Sequence, residues 1–286
     1  PGLTNTITAI KNAQMAQVPI LILGGATATV LKDRGSLQDI DHLALVESIT
    51  KLSVTIKRVR DIQKTLDQAI VIAQSDVPGP VYVEIPVDIL YPEALVRKWY
   101  GLKSGSRSMP WWMIQYLNWN VNRIFKDKDK SYLQSDQDKK IQATASIYLS
   151  RVADIINNSQ KPILLIGSQA MQNLDQASSL AEAVKTLGIP TYVSGMARGL
   201  LSKSGLSIFR HSRKIALQEA DLVILAGVPC DFRLDYGRHI NHKTKVVSIN
   251  LSQRDLYLNR KPTQGILADP GTFLIHLGQT NKKCNW

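Results

Sequence analysis

The sequence predicts an α/β fold with a parallel sheet in each half of its 286 residues. Three observations carry that prediction. Short apolar runs alternate with segments of helical periodicity, and most of those runs end in glycine. A hydrophobic share of 44% and a charged share of 20% let the chain bury a sizeable core, which excludes a disordered or collagen-like polypeptide. The length suits two domains better than one. No uninterrupted apolar run approaches the roughly 20 residues that a membrane-spanning helix needs. Two cysteines, Cys230 and Cys284, are too few for a disulfide scaffold or a cysteine-built zinc site, so the expectation is a reduced, soluble chain.

In the first half, Asn5 to Gln17 reads as a helix, with Ile7, Ile10 and Ala13 on one face and Asn5 a plausible N-cap. Val18 to Leu23 is a continuous apolar run closed by Gly24 and Gly25, the mark of a parallel strand covered on both faces. Such a glycine pair lets backbone approach a neighbour closely at the strand's carboxyl end. A strand follows at Leu52–Ile56, then a helix from about Asp61, its expected N-cap, to Gln74. Pro78-Gly79-Pro80 forces a turn into a strand at Val81–Ile85, stopped by Pro86.

Between residues 92 and 140 the alternation lapses into a basic, tryptophan-rich linker. Trp111 to Trp119 reads as an amphipathic helix, with packing across a domain boundary favoured over a membrane-surface or partner-binding role. Strands and helices then resume. Helix Ala143–Asn157 precedes strand Pro162–Ile166 with Gly167-Ser168-Gln169, and helix Asp175–Leu187 precedes strand Ile189–Val193 with Gly195-Met196-Ala197-Arg198-Gly199. Helix Ser212–Ala220 leads to strand Leu222–Ala226 with Gly227, followed by strands at Lys245–Ile249 and near Ile266 and a helix from Pro270 to Leu277. Three glycine-bearing strand ends point to a doubly wound, Rossmann-like second domain with a nucleotide-type crevice.

The net charge of +12 is uneven: residues 1–91 hold 8 basic and 9 acidic side chains, residues 92–140 hold 10 and 5, and residues 141–286 hold 17 and 9. A basic second half favours an anionic partner, or else is a surface selected for solubility. Without a Lys/Arg block or aromatic-basic interleaving, nucleic acid is disfavoured. His42, His211, His239, His242 and His276 show no metal-ligand spacing and are expected at the surface. Ser168 and Cys230 lack a nucleophile's setting, Cys230 reading as a small filler after an apolar strand.

Pro1-Gly2-Leu3-Thr4-Asn5, Pro78 to Pro86 and Gly195 to Gly199 together resemble the thiamine-diphosphate-dependent decarboxylase and lyase superfamily. Cys230-Asp231-Phe232-Arg233-Leu234-Asp235-Tyr236-Gly237-Arg238 and the tryptophan-rich segment resemble its acetolactate-synthase-like branch of 2-hydroxyacyl-CoA lyases, so the likeness runs through nearly the whole chain. The resemblance implies that residues 1–91 are the later part of a pyrimidine-binding domain, 92–140 a linker, 141–280 a central nucleotide- or CoA-binding domain and 281–286 a tail. The chain then reads as part of a longer protein. No Asp-Gly or His-Glu dipeptide occurs, so the family's metal-diphosphate loop and its pyrimidine-activating glutamate are expected to lie outside these residues. Thiamine chemistry needs that carboxylate to activate the cofactor, and a cation for the diphosphate. The 286 residues alone are therefore expected to be inactive, with no catalytic residue and no metal ligand of their own.

By resemblance, Pro1, Gly2, Asn5 and Gly25 face thiamine diphosphate, whose Mg²⁺ belongs to the complete protein. Gly25 stands where acetolactate synthases carry glutamine, which disfavours acetolactate synthesis and leaves room for a longer substrate. On the nucleotide side the matching positions are Gly167, Ser168, Gln169, Gly195, Met196, Arg198, Gly227, Asp231, Arg233, Asn250 and Asp269. Arg198 and Arg233 can fork onto phosphate, while Asp231 either contacts a ribose or fixes Arg233. Asn250 replaces the aspartate, and Pro229 the arginine, of many FAD-binding relatives, so the ADP portion of CoA is expected ahead of FAD.

The resemblance implies cleavage of a 2-hydroxyacyl-CoA to an aldehyde and formyl-CoA, with an acyl-CoA-type substrate and a dimeric or tetrameric complete protein. It also implies endoplasmic-reticulum membrane attachment through an anchor outside these residues, the alternative being a cytoplasmic protein. The rival readings are a pyruvate- and FAD-using carboligase of the acetolactate-synthase type and a non-catalytic nucleotide-binding or scaffold protein.

Overall fold

The computed structural model describes residues 2–37, 39–102, 109–128, 146–201, 209 and 211–280. Expectations for Pro1, for most of the linker's polar stretches, for Cys284 and for the 281–286 tail lie outside them. The chain divides into two compact units, residues 1–138 and 139–286.

In the first unit α1 (Gly2–Ala16) leads to β1 (Ile20–Ala26), followed by α2 (His42–Val46), β2 (Leu52–Thr55) and α3 (Ile62–Gln74). Then come β3 (Pro80–Pro86), α4 (Val87–Leu90), α5 (Glu93–Trp99) and α6 (Trp111–Phe125). The strands form a three-stranded all-parallel sheet in the order β1-β3-β2. β3 is buried along its whole length. It lies centrally because its run Val81-Tyr82-Val83-Glu84-Ile85 is apolar on both faces save for one carboxylate, and prolines at either end limit it.

Several local expectations are corrected here. β1 is not covered on both faces, since Ile20 and Leu23 are exposed and it is an edge among the described strands. Asn5 is not an N-cap, because the helix already runs from Gly2. Asp61 stands at the N-cap position of α3 as expected, but its side chain makes no cap hydrogen bond, its carboxylate being held by Arg58 Nε at 2.8 Å. The tryptophans of α6 do not face the core of the first unit. Trp111, Trp112 and Trp119 are 75%, 61% and 57% exposed, while Asn120, Val121, Ile124 and Phe125 are buried. Val121, Ile124 and Phe125 join Val96, Val81 and Val83 in the first unit's core, so α5 and α6 pack into this unit rather than standing apart as a linker.

The second unit runs α7 (Ser146–Asn157), β4 (Pro162–Ile166), α8 (Ala177–Leu187), β5 (Thr191–Val193), α9 (Arg213–Glu219) and β6 (Leu222–Ala226). It closes with β7 (Lys245–Asn250), α10 (Gln253–Leu256), β8 (Gln264–Leu267) and α11 (Pro270–Thr280). Its five strands are all parallel in the order β5-β4-β6-β7-β8. Period-2 alternation sends Leu164, Ile166, Leu222 and Ile224 to one face, with α7, α8 and α11 residues, and Ile163, Leu165, Val223 and Leu225 to the other, with Leu217 of α9. Helices therefore cover both faces, as the doubly wound expectation requires. From β4 the chain steps outward to β5, then returns to β6 on β4's other side. The switch point, where such sheets bind ligands beyond their carboxyl ends, is thus between β4 and β6.

Candidate functional site

In the first unit the strand tips align Gly24 and Thr55 with Glu84 across the sheet. Glu84 is buried, and both its oxygens are engaged: Thr55 Oγ1 donates to Oε2 at 2.7 Å, and His42 Nδ1 lies 3.0 Å from Oε1. His42 is itself buried, against the expectation of a surface histidine. It is placed by α2, whose N-cap Asp41 accepts from Ala44 N at 3.1 Å. His42, Thr55 and Glu84 line a cleft of about 710 Å³ whose other walls include Lys32, Lys57 and Arg123.

Gly24 serves the protein interior, because a Cβ there would run into the Tyr82 ring and hydroxyl. Tyr82 is fully buried, and burial, with Glu84 beside it, pushes its phenol above the ordinary tyrosine range. Gly25 is exposed and open, with nothing near enough to touch a Cβ. Gly2 and Asn5 are exposed on α1, and no hydrogen bond among the described residues joins them to Gly25.

A second buried carboxylate escaped the sequence reading. Asp88 is completely buried at the start of α4. Its Oδ2 accepts from Thr29 N at 3.0 Å, Thr29 Oγ1 at 2.6 Å and Tyr100 hydroxyl at 2.8 Å. Asn120 Nδ2 donates to Thr29 Oγ1 at 3.1 Å, so the network ties the segment after β1 to α4, α5 and α6. Burial and the neighbouring Asp88 raise the Tyr100 phenol above its ordinary range. The one sequence signal was an acid two residues after the Pro86 strand stop, and nothing local marks it as buried.

In the second unit the three glycine-bearing tips do converge. Gly167 packs so closely on Gly227 that a Cβ would meet the Gly227 carbonyl oxygen and, at 2.7 Å, Val228 Cγ2. Ser168 Oγ accepts from Met196 N at 3.3 Å, which joins the β4 and β5 loops. Gln169 is wholly buried and spans to β7: its Nε2 donates to Asn250 Oδ1 at 2.9 Å and its Oε1 accepts from Leu251 N at 2.9 Å. Asn250 Oδ1 also accepts from Ser252 N at 2.9 Å, while Asn250 Nδ2 is buried without an acceptor among the described residues. Gly167, Ser168, Gln169, Met196 with Gly195, Gly227 and Asn250 thus meet at the switch point.

The remaining positions flank that cluster. Arg198 is exposed, on the turn Gly195–Gly199, with no acceptor among the described residues. Asp231 grips Arg233 in a forked pair, with contacts of 3.0 Å to Nε and 2.6 Å to Nη2, and it also accepts from Arg233 N at 2.9 Å. Of the two readings for Asp231, the geometry shows the one in which it fixes Arg233. Asp269 Oδ1 accepts from Thr272 N at 2.6 Å, the first-turn cap of α11.

Cys230 is buried as a filler, and desolvation pushes its thiol up to about 11. Alkylation by iodoacetamide at pH 8 is expected to be slow for Cys230 in the native chain, because under about 1% of it is thiolate. Peptide mapping after brief labelling checks this; modification as fast as in urea would contradict it. His211, His242 and His276 are exposed, and no cluster of metal-ligating side chains occurs among the described residues.

Residues 149–277 match the family described as thiamine pyrophosphate enzyme, central domain. The chain is 40% identical to 2-hydroxyacyl-CoA lyase 2 of Danio rerio over 99% of its own length and 46% of that protein. It is also 40% identical to the Homo sapiens 2-hydroxyacyl-CoA lyase 2 over 100% of its length and 46% of that protein. With an acetolactate synthase large subunit of Mycobacterium tuberculosis the identity is 26%, over 86% of this chain and 39% of the other. The chain spans about half the length of the curated relatives it matches. Most of its second unit thus matches the central domain of thiamine pyrophosphate enzymes, and nearly the whole chain is similar to 2-hydroxyacyl-CoA lyase 2.

Proposed function

We propose that this chain forms part of a thiamine-diphosphate-dependent carbon–carbon lyase that cleaves a 2-hydroxyacyl-CoA to an aldehyde and formyl-CoA. The observation that carries the reading is the likeness to 2-hydroxyacyl-CoA lyase 2 through both units, at 40% identity. In this reading the first unit contains the later part of a pyrimidine-binding domain, residues 1–91, and the second contains a central domain, residues 141–280. The 286 residues alone turn over no substrate, the activating glutamate and the Mg²⁺–diphosphate loop being supplied from outside them. Bound thiamine diphosphate supplies the carbanion-stabilising centre that carbon–carbon cleavage needs.

The chain's own share is binding. Backbone amides of the converging tips and the unengaged guanidinium of Arg198 suit the phosphates of an ADP moiety, and Arg233 is held ready by Asp231. The orphaned Nδ2 of Asn250 is a donor that a buried acceptor would satisfy, whereas an aspartate there would offer no donor. That supports CoA over FAD. On the thiamine side, the open Gly25 leaves space beside the β1 tip.

Calorimetry of the chain against CoA, ADP and FAD tests the central site. CoA and ADP are expected to bind and FAD to give little heat, with Arg198→Ala weakening CoA about tenfold. Indifference to all three ligands would remove the nucleotide site. Strong FAD binding with a yellow product would favour the acetolactate-synthase-type reading.

A further inference from the structure

Apart from Arg123, which also reaches the wall of the Glu84 cleft, the outward face of α6 has no role in either strand-tip cluster. Trp112, Tyr116, Trp119 and Arg123 recur at helical spacing along it, turned away from the buried Val121, Ile124 and Phe125. The helix is therefore apolar towards the core and aromatic towards solvent. Arg123 lies 5.2 Å over the Trp119 ring, so the stripe ends in a cation held against an indole. The adjoining α5 continues the surface: Arg97 bridges to Asn118 and Asn122 at 3.3 and 2.6 Å, and exposed Trp99 stacks edge-on against exposed Tyr91 at 4.8 Å.

Charge selects the occupant. The acids of this surface are already neutralised, Glu93 by Arg97 and Lys128 at 2.8 and 2.9 Å and Asp127 by Arg60 at 2.6 Å. Lys98, Arg123 and Lys126 have no acidic partner among the described residues. Residues 92–140 as a whole carry 10 basic against 5 acidic side chains. Exposed tryptophan and tyrosine rings combine an apolar body with a polar tip, the property that concentrates them at membrane–water interfaces, and basic neighbours add attraction to anionic headgroups. We propose that the α5–α6 aromatic face docks on an anionic lipid surface, lying in the interface without crossing it. No helix among the described residues is long and apolar enough to span a membrane, which fits a surface contact.

The test is flotation of the 286-residue chain with phosphatidylcholine vesicles that contain or lack phosphatidylserine. The chain is expected to float with the anionic vesicles, less so with neutral ones, and to be released by high salt. Trp112→Ser with Trp119→Ser should lower partitioning roughly tenfold, and Arg123→Glu about fivefold or more. Quenching of tryptophan fluorescence by brominated lipid reads insertion in the unaltered chain, so the outcome does not depend on any variant folding. Absence of both flotation and quenching overturns the proposal, and so does flotation unchanged by the paired serine variant. A concentration-dependent dimer that the same variant dissolves would also overturn it, by making a second copy the occupant.

Discussion

Gly227→Ala is expected to destabilise the second unit by about 3 kcal/mol, and Gly167→Ala by a similar amount. The causes differ. Gly227 has φ of +69°, in the left-handed region, where a Cβ costs roughly 1–2 kcal/mol even in open space. Its added methyl would also stand 2.8 Å from Gln169 Cβ, inside a wholly buried side chain that cannot withdraw without breaking its bonds to Asn250 and Leu251. Gly167 has an ordinary φ of −112°, so its substitution is opposed by contact alone, with the carbonyl oxygen of Gly227 in the way. Because the two glycines touch each other, the double variant should cost less than the sum of the singles. Urea denaturation followed by circular dichroism measures all three. Alanine at both positions within about 0.5 kcal/mol of the parent would mean the tips of β4 and β6 do not meet, and the ADP site proposed there would lose its floor.

That convergence was legible in the sequence because it rests on local, directional signals. Uninterrupted apolar runs such as Ile163 to Ile166 and Leu222 to Ala226 mark strands buried on both faces, and a glycine just past each marks a tight exit. What could not be read was which polar side chains the fold would turn inward. Gln169 spends both ends of its amide bracing β4 against β7, and His42, expected at the surface, lies against Glu84. Partners 81 and 42 residues away leave no periodic trace. Trp111 to Trp119 show the opposite limit: helical spacing shows that a face exists, but not which surface receives it. Here the smaller Val121 and Ile124 fill the core and the large rings stay outside.

For the first unit the largest effect is expected at Asp88. Asp88→Ala should cost about 3 kcal/mol or more, because one truncation strands several donors at once. Thr29 N, Thr29 Oγ1 and the Tyr100 hydroxyl all converge on Oδ2 of a completely buried carboxylate. Asp88→Asn keeps the volume and can put its carbonyl oxygen at the Oδ2 position, so it should lose less, the remaining cost arising from a buried amide nitrogen at the Oδ1 position, which has no partner among the described residues. Tyr100→Phe removes one donor and leaves the other two bonds in place, which predicts the mildest of the three losses, about 1 kcal/mol. The ordering Ala, then Asn, then Phe distinguishes a hydrogen-bond hub from a simple volume requirement, under which Asn would be neutral. It also bears on the aromatic face, because Asn120 of α6 reaches Thr29 at 3.1 Å through this same network. Loosening the hub should therefore free α6 and raise hydrogen exchange across residues 111–125 before the β-sheet amides respond. Equal exchange in α6 and β3 of the Asp88→Ala protein would show that the carboxylate does not anchor that helix.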